Sequence, residues 1–211
     1  MLGWSDVDKL NTAVIYGSVR SERRGIRVAR FVVNKLEERG HDVTLIDPLE
    51  YPLPMLDKMY NEYAEGKAPE AMEQVASILR QAHGFVIVSA EYNHAVPPAL
   101  KNLLDHYTRL YNYKPSAIVS YSKGPFGGVR AMINLRSILA ELGTPSIPSA
   151  LPVSKIEDAF EEDGTVIEEM YDKRIVKFLD EYEWYACALR AARACQACDD
   201  DMPSQQQLCR E

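Results

Sequence analysis

The sequence predicts an α/β fold, a five-stranded parallel sheet with helices on both faces. Three observations carry that expectation. Between Thr12 and Leu36 the apolar period changes from a continuous run, TAVIY, to Ile26, Ala29, Val33 and Leu36 at helical spacing, with Gly40 as the stop. Gly84 to Ser89 (GFVIVS) is apolar on both faces, as a strand at the centre of a parallel sheet must be. Strand-like and helix-like stretches then alternate along the chain with no internal repeat and no second-domain boundary. That alternation implies parallel strands joined by right-handed crossovers.

The first strand, Thr12–Tyr16, rests on β-branched Val14 and Ile15, and Gly17-Ser18-Val19-Arg20 breaks it at once. His41–Asp47 (HDVTLID) reads as the second strand, with Val43, Leu45 and Ile46 apolar. Residues 48–69 form a connection rich in proline and tyrosine, long enough to be functional or part of an interface. Pro69 opens the next helix, which runs to Gln81 with Met72, Val75, Ala76 and Leu79 inward. After the central strand, Pro97 and Pro98 open a helix whose stripe is Leu100, Leu103, Leu104 and Tyr107. Pro115–Tyr121 is the fourth strand and Val129–Leu142 the helix after it, ended by Gly143-Thr144-Pro145. Thr144–Val153 holds a short, proline-interrupted fifth strand, which belongs at an edge. Glu161–Gly164 reads as a solvated turn. The last helix spans about Ile167 to Arg193, with Met170, Ile175, Phe178, Leu179 and Tyr182 on one face. Residues 1–194 thus read as one domain, and residues 195–211 as a poorly ordered tail with three aspartates in a row and a glutamine run.

Composition narrows the function. The 211 residues carry a formal charge of −7, which argues against a nucleic-acid partner. No stretch approaches the roughly 20 apolar residues of a membrane span, and the acidic N-terminus lacks an apolar core, so a cytoplasmic location is expected. Cys187, Cys195, Cys198 and Cys209 all lie near the C-terminus, so the body is built without a disulfide framework. Cys195-x-x-Cys198 has the spacing of half a metal site, but without a second pair or a histidine it is weak evidence for one, and no metal is expected.

Ligands of such sheets bind at the carboxyl ends of the strands, where strand order reverses. The loops to read are therefore Gly17–Arg24, Ala90–Val96 and Ser122–Gly128, all rich in Gly, Ser, Asn and Tyr. The first joins a strand to a helix and offers free amides, the Ser18 hydroxyl and the Arg20 guanidinium to an anion. An ordinary strand-to-helix turn with solvated arginines would look the same from this loop alone. It is neither a dinucleotide fingerprint nor a Walker loop, because only Gly17 and Gly25 are present and no Gly-Lys-Ser/Thr follows. No nucleophile triad and no pair of carboxylates placed for acid–base work stands out, as expected where a cofactor carries the reaction.

Together the three loops resemble those of the NAD(P)H-dependent FMN reductases, a flavodoxin-like family that includes quinone reductases and azoreductases. The matching residues are Gly17-Ser18-Val19-Arg20; Glu91-Tyr92-Asn93-His94 with Pro97, Leu100-Lys101-Asn102 and Asp105; Ser122-Lys123-Gly124 with Gly127-Gly128; and Tyr51-Pro52-Leu53-Pro54. The resemblance implies a three-layer sandwich with strand order 2-1-3-4-5. It implies FMN as cofactor and NADPH or NADH as co-substrate, in a hydride transfer on to a quinone, azo compound, free flavin or ferric chelate. Ser18 and Arg20 would hold the FMN phosphate. The backbone of Glu91, Tyr92, Asn93 and His94 would run along the pyrimidine and central part of the isoalloxazine ring, and Ser122, Gly124 and Gly127 would line its other side. The family often has Ser and Asn where this chain has Arg23 and Gly25, which makes Arg23 a further candidate phosphate ligand. The resemblance also implies a homodimer or homotetramer, with Tyr107, Tyr111 and Tyr113 either core or interface residues. A flavodoxin-like electron carrier without nicotinamide turnover is the alternative. The Glu-Tyr-Asn loop favours the enzyme.

Overall fold

The computed structural model describes residues 9–195. Its sheet has five parallel strands in the order β2-β1-β3-β4-β5. These are β1 (Asn11–Tyr16), β2 (Asp42–Ile46), β3 (Gly84–Ala90), β4 (Ser116–Tyr121) and β5 (Ser146–Val153). The helices are α1 (Ile26–Glu38), α2 (Glu70–Gln81), α3 (Pro98–Asp105), α4 (Val129–Glu141), α5 (Ile156–Ala159) and α6 (Met170–Ala194). The tail beyond Cys195, with Cys198 and Cys209, lies outside the described residues.

Strand periodicity builds the three layers. Val14, Tyr16, Val86, Val88 and Val119 point to one face, where they meet α1 and α6 through Val28, Val32, Ile175 and Phe178. Ala13, Ile15, Phe85, Ile87 and Ile118 point to the other, against α2, α3 and α4 through Val75, Leu79, Leu103 and Leu135. All of β3 is buried, as its double-sided apolar composition requires. The predicted inward face of α2 is fully buried at Met72, Val75, Ala76 and Leu79; each large side chain there contributes about 1.5–3 kcal/mol.

Five local differences separate the structure from the sequence expectation. In α1 the buried stripe is Val28, Ala29, Phe31, Val32 and Leu36, and Ile26 and Val33 flank it, because a helix lying flat on a sheet buries a wide face. Edge strand β2 buries only Ile46 fully. Met170 begins α6 and is 46 % exposed, and Tyr171 takes the inward position. The segment after β5 contains α5, too short to show a period. Edge strand β5, expected to be short, has eight residues, and a bulge accommodates its irregular pairing: Ser116 pairs Ser146 but Ile118 pairs Ala150. Arg136 satisfies the freed acceptors, donating to Ser146 Oγ at 2.9 Å, Ile147 O at 2.8 Å and Pro148 O at 2.8 Å.

The long connection 48–69 is tied to α3. Asn102 Nδ2 donates to Pro54 O at 2.8 Å and Leu56 N donates to Asn102 Oδ1 at 2.9 Å. Asp105 pairs with Lys101, one turn earlier on α3. Tyr107 and Tyr111 are core residues; Tyr113 is half exposed. Among the described residues no helix is long and apolar enough to cross a membrane.

Candidate functional site

The chain leaves β1 toward β2 by way of α1 on one face, and returns from β2 to β3 by way of α2 on the other. The carboxyl ends of β1 and β3 therefore flank the point where strand order reverses. The loops after β1, β3 and β4 meet there around a cleft of about 350 Å³. Ser18, Arg20 and Arg23 line it from the first loop, Glu91 and Tyr92 from the second, and Ser122 and Gly124 from the third.

Its floor is a cluster of hydroxyls. Ser18, 2 % exposed, shares a hydrogen bond with the Tyr92 hydroxyl at 2.9 Å, which ties the first loop to the second. Tyr121 Oη donates to Tyr16 Oη at 3.2 Å, with the two rings stacked. Burial pushes the phenol of Tyr16 up, against its bonds to Tyr121 and Ser18 and the charge of Arg23. Burial, with Tyr16 alongside, pushes Tyr121 up well above its ordinary value. Both remain neutral phenols that orient neighbours. Gly25 has ordinary helical dihedrals, so space and not conformation demands glycine: a Cβ would lie 2.0 Å from Tyr121 Cζ.

The second loop turns on two left-handed residues, Asn93 (φ 51°) and His94 (φ 67°), between reciprocal bonds of Tyr92 and Ala95. Consecutive positive φ is the signature of a type I′ turn, in which Asn is favoured. The turn projects outward, so the side chains of Asn93 and His94 are exposed and stand outside the cleft lining. Glu91 points back into the fold: its Oε2 accepts from Arg130 N at 3.0 Å and Ala131 N at 3.2 Å, capping α4 from a distant loop.

In the third loop, Ser122 Oγ donates to Gly124 O at 3.0 Å. A Cβ at Gly124 would meet nothing within 4 Å, so the chain offers a bare edge to the cleft. Gly127 is instead buried beneath Pro152; its φ of 61° shapes the turn, and its carbonyl accepts from Ser120 Oγ at 2.7 Å.

The arginines divide. Arg20 is exposed at the cleft. Arg23 is drawn inward, over the Tyr16 ring, where it pairs with Asp47 and donates to Ser18 O at 3.3 Å. Burial works against its charge, but the bond and the charge of Asp47 hold it above its ordinary value. Sequence reasoning missed three rim residues. Arg24, Lys123 and Ile156 also line the cleft, and Glu157 bridges the two cations, 3.4 Å from Arg24 Nε and 3.0 Å from Lys123 Nζ. Charged residues in turns are common, and only the fold brings these three loops together.

The donor set suits a phosphorylated planar cofactor. The amides of Val19, Ser21 and Glu22 donate to no protein acceptor among the described residues, beside the Ser18 hydroxyl and the Arg20 guanidinium. The bare Gly124 edge and the aromatic floor leave room for a ring. Fold and site thus define a flavodoxin-like, flavin-binding α/β class. More particularly, the chain belongs to the NADPH-dependent FMN reductase family, whose profile matches residues 10–158. A quinone reductase of Escherichia coli is 34% identical over 139 residues, spanning 64% of this chain and 72% of that protein. A probable NADPH:quinone oxidoreductase 1 of Oryza sativa is 34% identical over 178 residues, or 81% and 88%. Among solved structures, the flavoenzyme FerB of Paracoccus denitrificans superposes with a TM-score of 0.67 at 23% identity, covering 84% of this chain and 97% of its own. That likeness shows the shared fold. The protein is an oxidoreductase that works with FMN and NAD(P)H.

Proposed function

We propose that this chain holds FMN in the three-loop cleft and passes reducing equivalents from NAD(P)H to a quinone, with azo compounds, free flavin and ferric chelates as further acceptors. The observation that carries this reading is the Ser18–Tyr92 bond, which joins the anion-type loop to the Glu-Tyr-Asn loop at the point where strand order reverses. Relatives named for quinone reduction support the acceptor class.

Bound FMN would supply the redox chemistry, two-electron transfer between a nicotinamide and the acceptor. The residues of the chain do the rest. Ser18, Arg20 and the first-loop amides hold the phosphate dianion, for which charge-assisted donors are the strong ones. Arg23, anchored by Asp47, keeps that loop in place and adds positive charge behind it. The turn from Glu91 to His94 supplies backbone along the ring, fixed by the Glu91 cap on α4. Ser122 and Gly124 form the opposite wall, and Gly127 sets its course. No residue of the cleft is assigned as a proton donor, since solvent water can supply the protons that a reduced acceptor needs. The chain acts as a homodimer or homotetramer, a reading supported by apolar Val19, Leu49, Met55 and Phe126 exposed on loops that follow β1, β2 and β4, and its place is the cytoplasm.

The test is the visible spectrum of the purified protein before and after anaerobic NADPH. Flavin absorption that bleaches supports the enzyme, and absorption that does not bleach turns the reading to an electron carrier. A colourless protein that fails to bind added FMN overturns it. Arg20→Ala should release flavin on purification; unchanged flavin content removes Arg20 from the site.

A further inference from the structure

Beside the cofactor cleft lies a larger groove, about 580 Å³, lined by Arg23, Arg24, Arg27 and Arg30 with Glu22 and Glu162. It opens into the cleft through Glu22, Arg23 and Arg24, which line both. Arg20, Arg23, Arg24, Arg27 and Arg30 all fall within eleven residues of a chain whose formal charge is −7. A positive groove on an acidic protein concentrates field lines and draws in an anion.

Asp47 neutralises Arg23, and the other three arginines are held in place without full neutralisation. Arg27 Nη1 donates to Phe160 O at 2.8 Å, and Arg30 Nη1 donates to Glu162 O at 2.6 Å. Carbonyls fix a guanidinium but do not cancel its charge. Glu162 is the carboxylate nearest Arg27, at 3.6 Å, and its side chain is 87% exposed, so screening by water weakens that pair. Arg24 and Lys123 share one acid, Glu157. Each guanidinium keeps donors for a planar or tetrahedral anion.

We propose that this groove is the subsite for the phosphorylated adenosine half of NADPH, with Arg24 and Arg30 reading the 2′-phosphate while the nicotinamide end reaches the cleft. The assignment rests on the FMN reductase reading of the cleft and adds to it a structural basis for preferring NADPH over NADH. On binding, Arg24 exchanges Glu157 for phosphate, and Lys123 keeps that carboxylate. Glu22 and Glu162 oppose the ligand, so they set an upper bound on affinity that substitution can lift.

The experiment is calorimetric titration of the FMN-loaded protein with 2′,5′-ADP and with ADP, alongside the ratio of kcat/KM for NADPH to that for NADH. In Arg24→Ala/Arg30→Ala, 2′,5′-ADP should bind about tenfold more weakly, ADP should change less, and the ratio should fall by a similar factor. Because Arg30 also anchors the 160–166 hairpin, Glu162→Gln is the second variant. It keeps the carbonyl contact and removes an acid, so 2′,5′-ADP should bind two- to threefold more tightly, by roughly the strength of one exposed charge contact. Equal loss for ADP and 2′,5′-ADP overturns the 2′-phosphate assignment. FMN binding with no affinity for 2′,5′-ADP, or affinity unmoved by either variant, overturns the groove alone. A protein that takes up no FMN but binds 2′,5′-ADP as described overturns the flavin reading and supports the groove.

Discussion

Removing the Glu91 carboxylate should loosen the second loop and helix α4 together. Its Oε2 accepts two first-turn amides of α4, Arg130 N and Ala131 N, and Arg130 Nη1 lies 3.5 Å from Oε1. The side chain is only 11% exposed, so water replaces it poorly. Losing a helix cap of this kind costs about 1–2 kcal/mol. The Arg130 contact, 41% exposed on the arginine side, adds about 0.3–0.5 kcal/mol after screening. Glu91→Ala should therefore lose about 2 kcal/mol, a fall in Tm of about 4–8 °C for a domain of this size. Glu91→Gln keeps one acceptor oxygen but loses the charge, and should fall by about half as much. Urea denaturation of the flavin-free protein measures the first quantity, and FMN dissociation the effect on the loop. A Glu91→Ala protein within about 0.5 kcal/mol of wild type would refute the capping argument. A Glu91→Gln protein of near wild-type stability with turnover down by about 10²-fold would make the carboxylate a proton-transfer group.

Gly25→Ala forces a methyl into the ring of Tyr121, and overpacking of this kind costs about 1–3 kcal/mol; Tyr121→Val in the same chain should recover part of the loss, and a fully additive pair of melts would show that the two sites do not touch. Glu183 is buried with His41 Nε2 at 3.0 Å and Arg39 Nη1 at 2.9 Å. Burial raises its carboxyl, but those two partners outweigh it and hold it below its ordinary value. A depressed carboxyl stabilises above its unfolded value, and that stability drains as pH falls through the folded one. Between about pH 5 and 3 wild type should lose stability faster than Glu183→Gln, and parallel pH profiles of the denaturation midpoint would count against the linkage. Breaking the buried Arg23–Asp47 pair from either side should cost about 2–4 kcal/mol; a double-mutant cycle of Arg23→Ala with Asp47→Asn in flavin-free protein that shows no coupling would return Arg23 to the role of a simple phosphate ligand.

Periodicity and composition made the body of this fold readable before any coordinates. Met72, Val75, Ala76 and Leu79 are spaced to bury one face of α2, and they do. The doubly apolar β3 lies at the centre, and prolines 148 and 152 mark the edge strand. These features are local, or repeat along one element, so a single chain reveals them.

The site was legible only as a set of loops. Glycine, serine and asparagine mark where the backbone must turn, but not which side chains face inward afterwards. Arg23 illustrates the difference. The family resemblance makes it a candidate phosphate ligand, yet Asp47, across the switch point, offers a buried carboxylate that a guanidinium satisfies first. Glu91 shows the converse: a charged residue in a predicted flavin loop serves a helix 39 and 40 residues further on. Gly127 and Gly124 carry the same letter, but one makes a turn beneath Pro152 and the other leaves an open edge. Long-range partners decide such roles, and a pattern that stops at the end of a loop does not contain them. The arginine groove follows the same logic. Along the sequence its residues are an ordinary basic helix start, and only the return of residues 160–162 to α1 fixes Arg27 and Arg30 beside the cofactor cleft, with which the groove shares Glu22, Arg23 and Arg24.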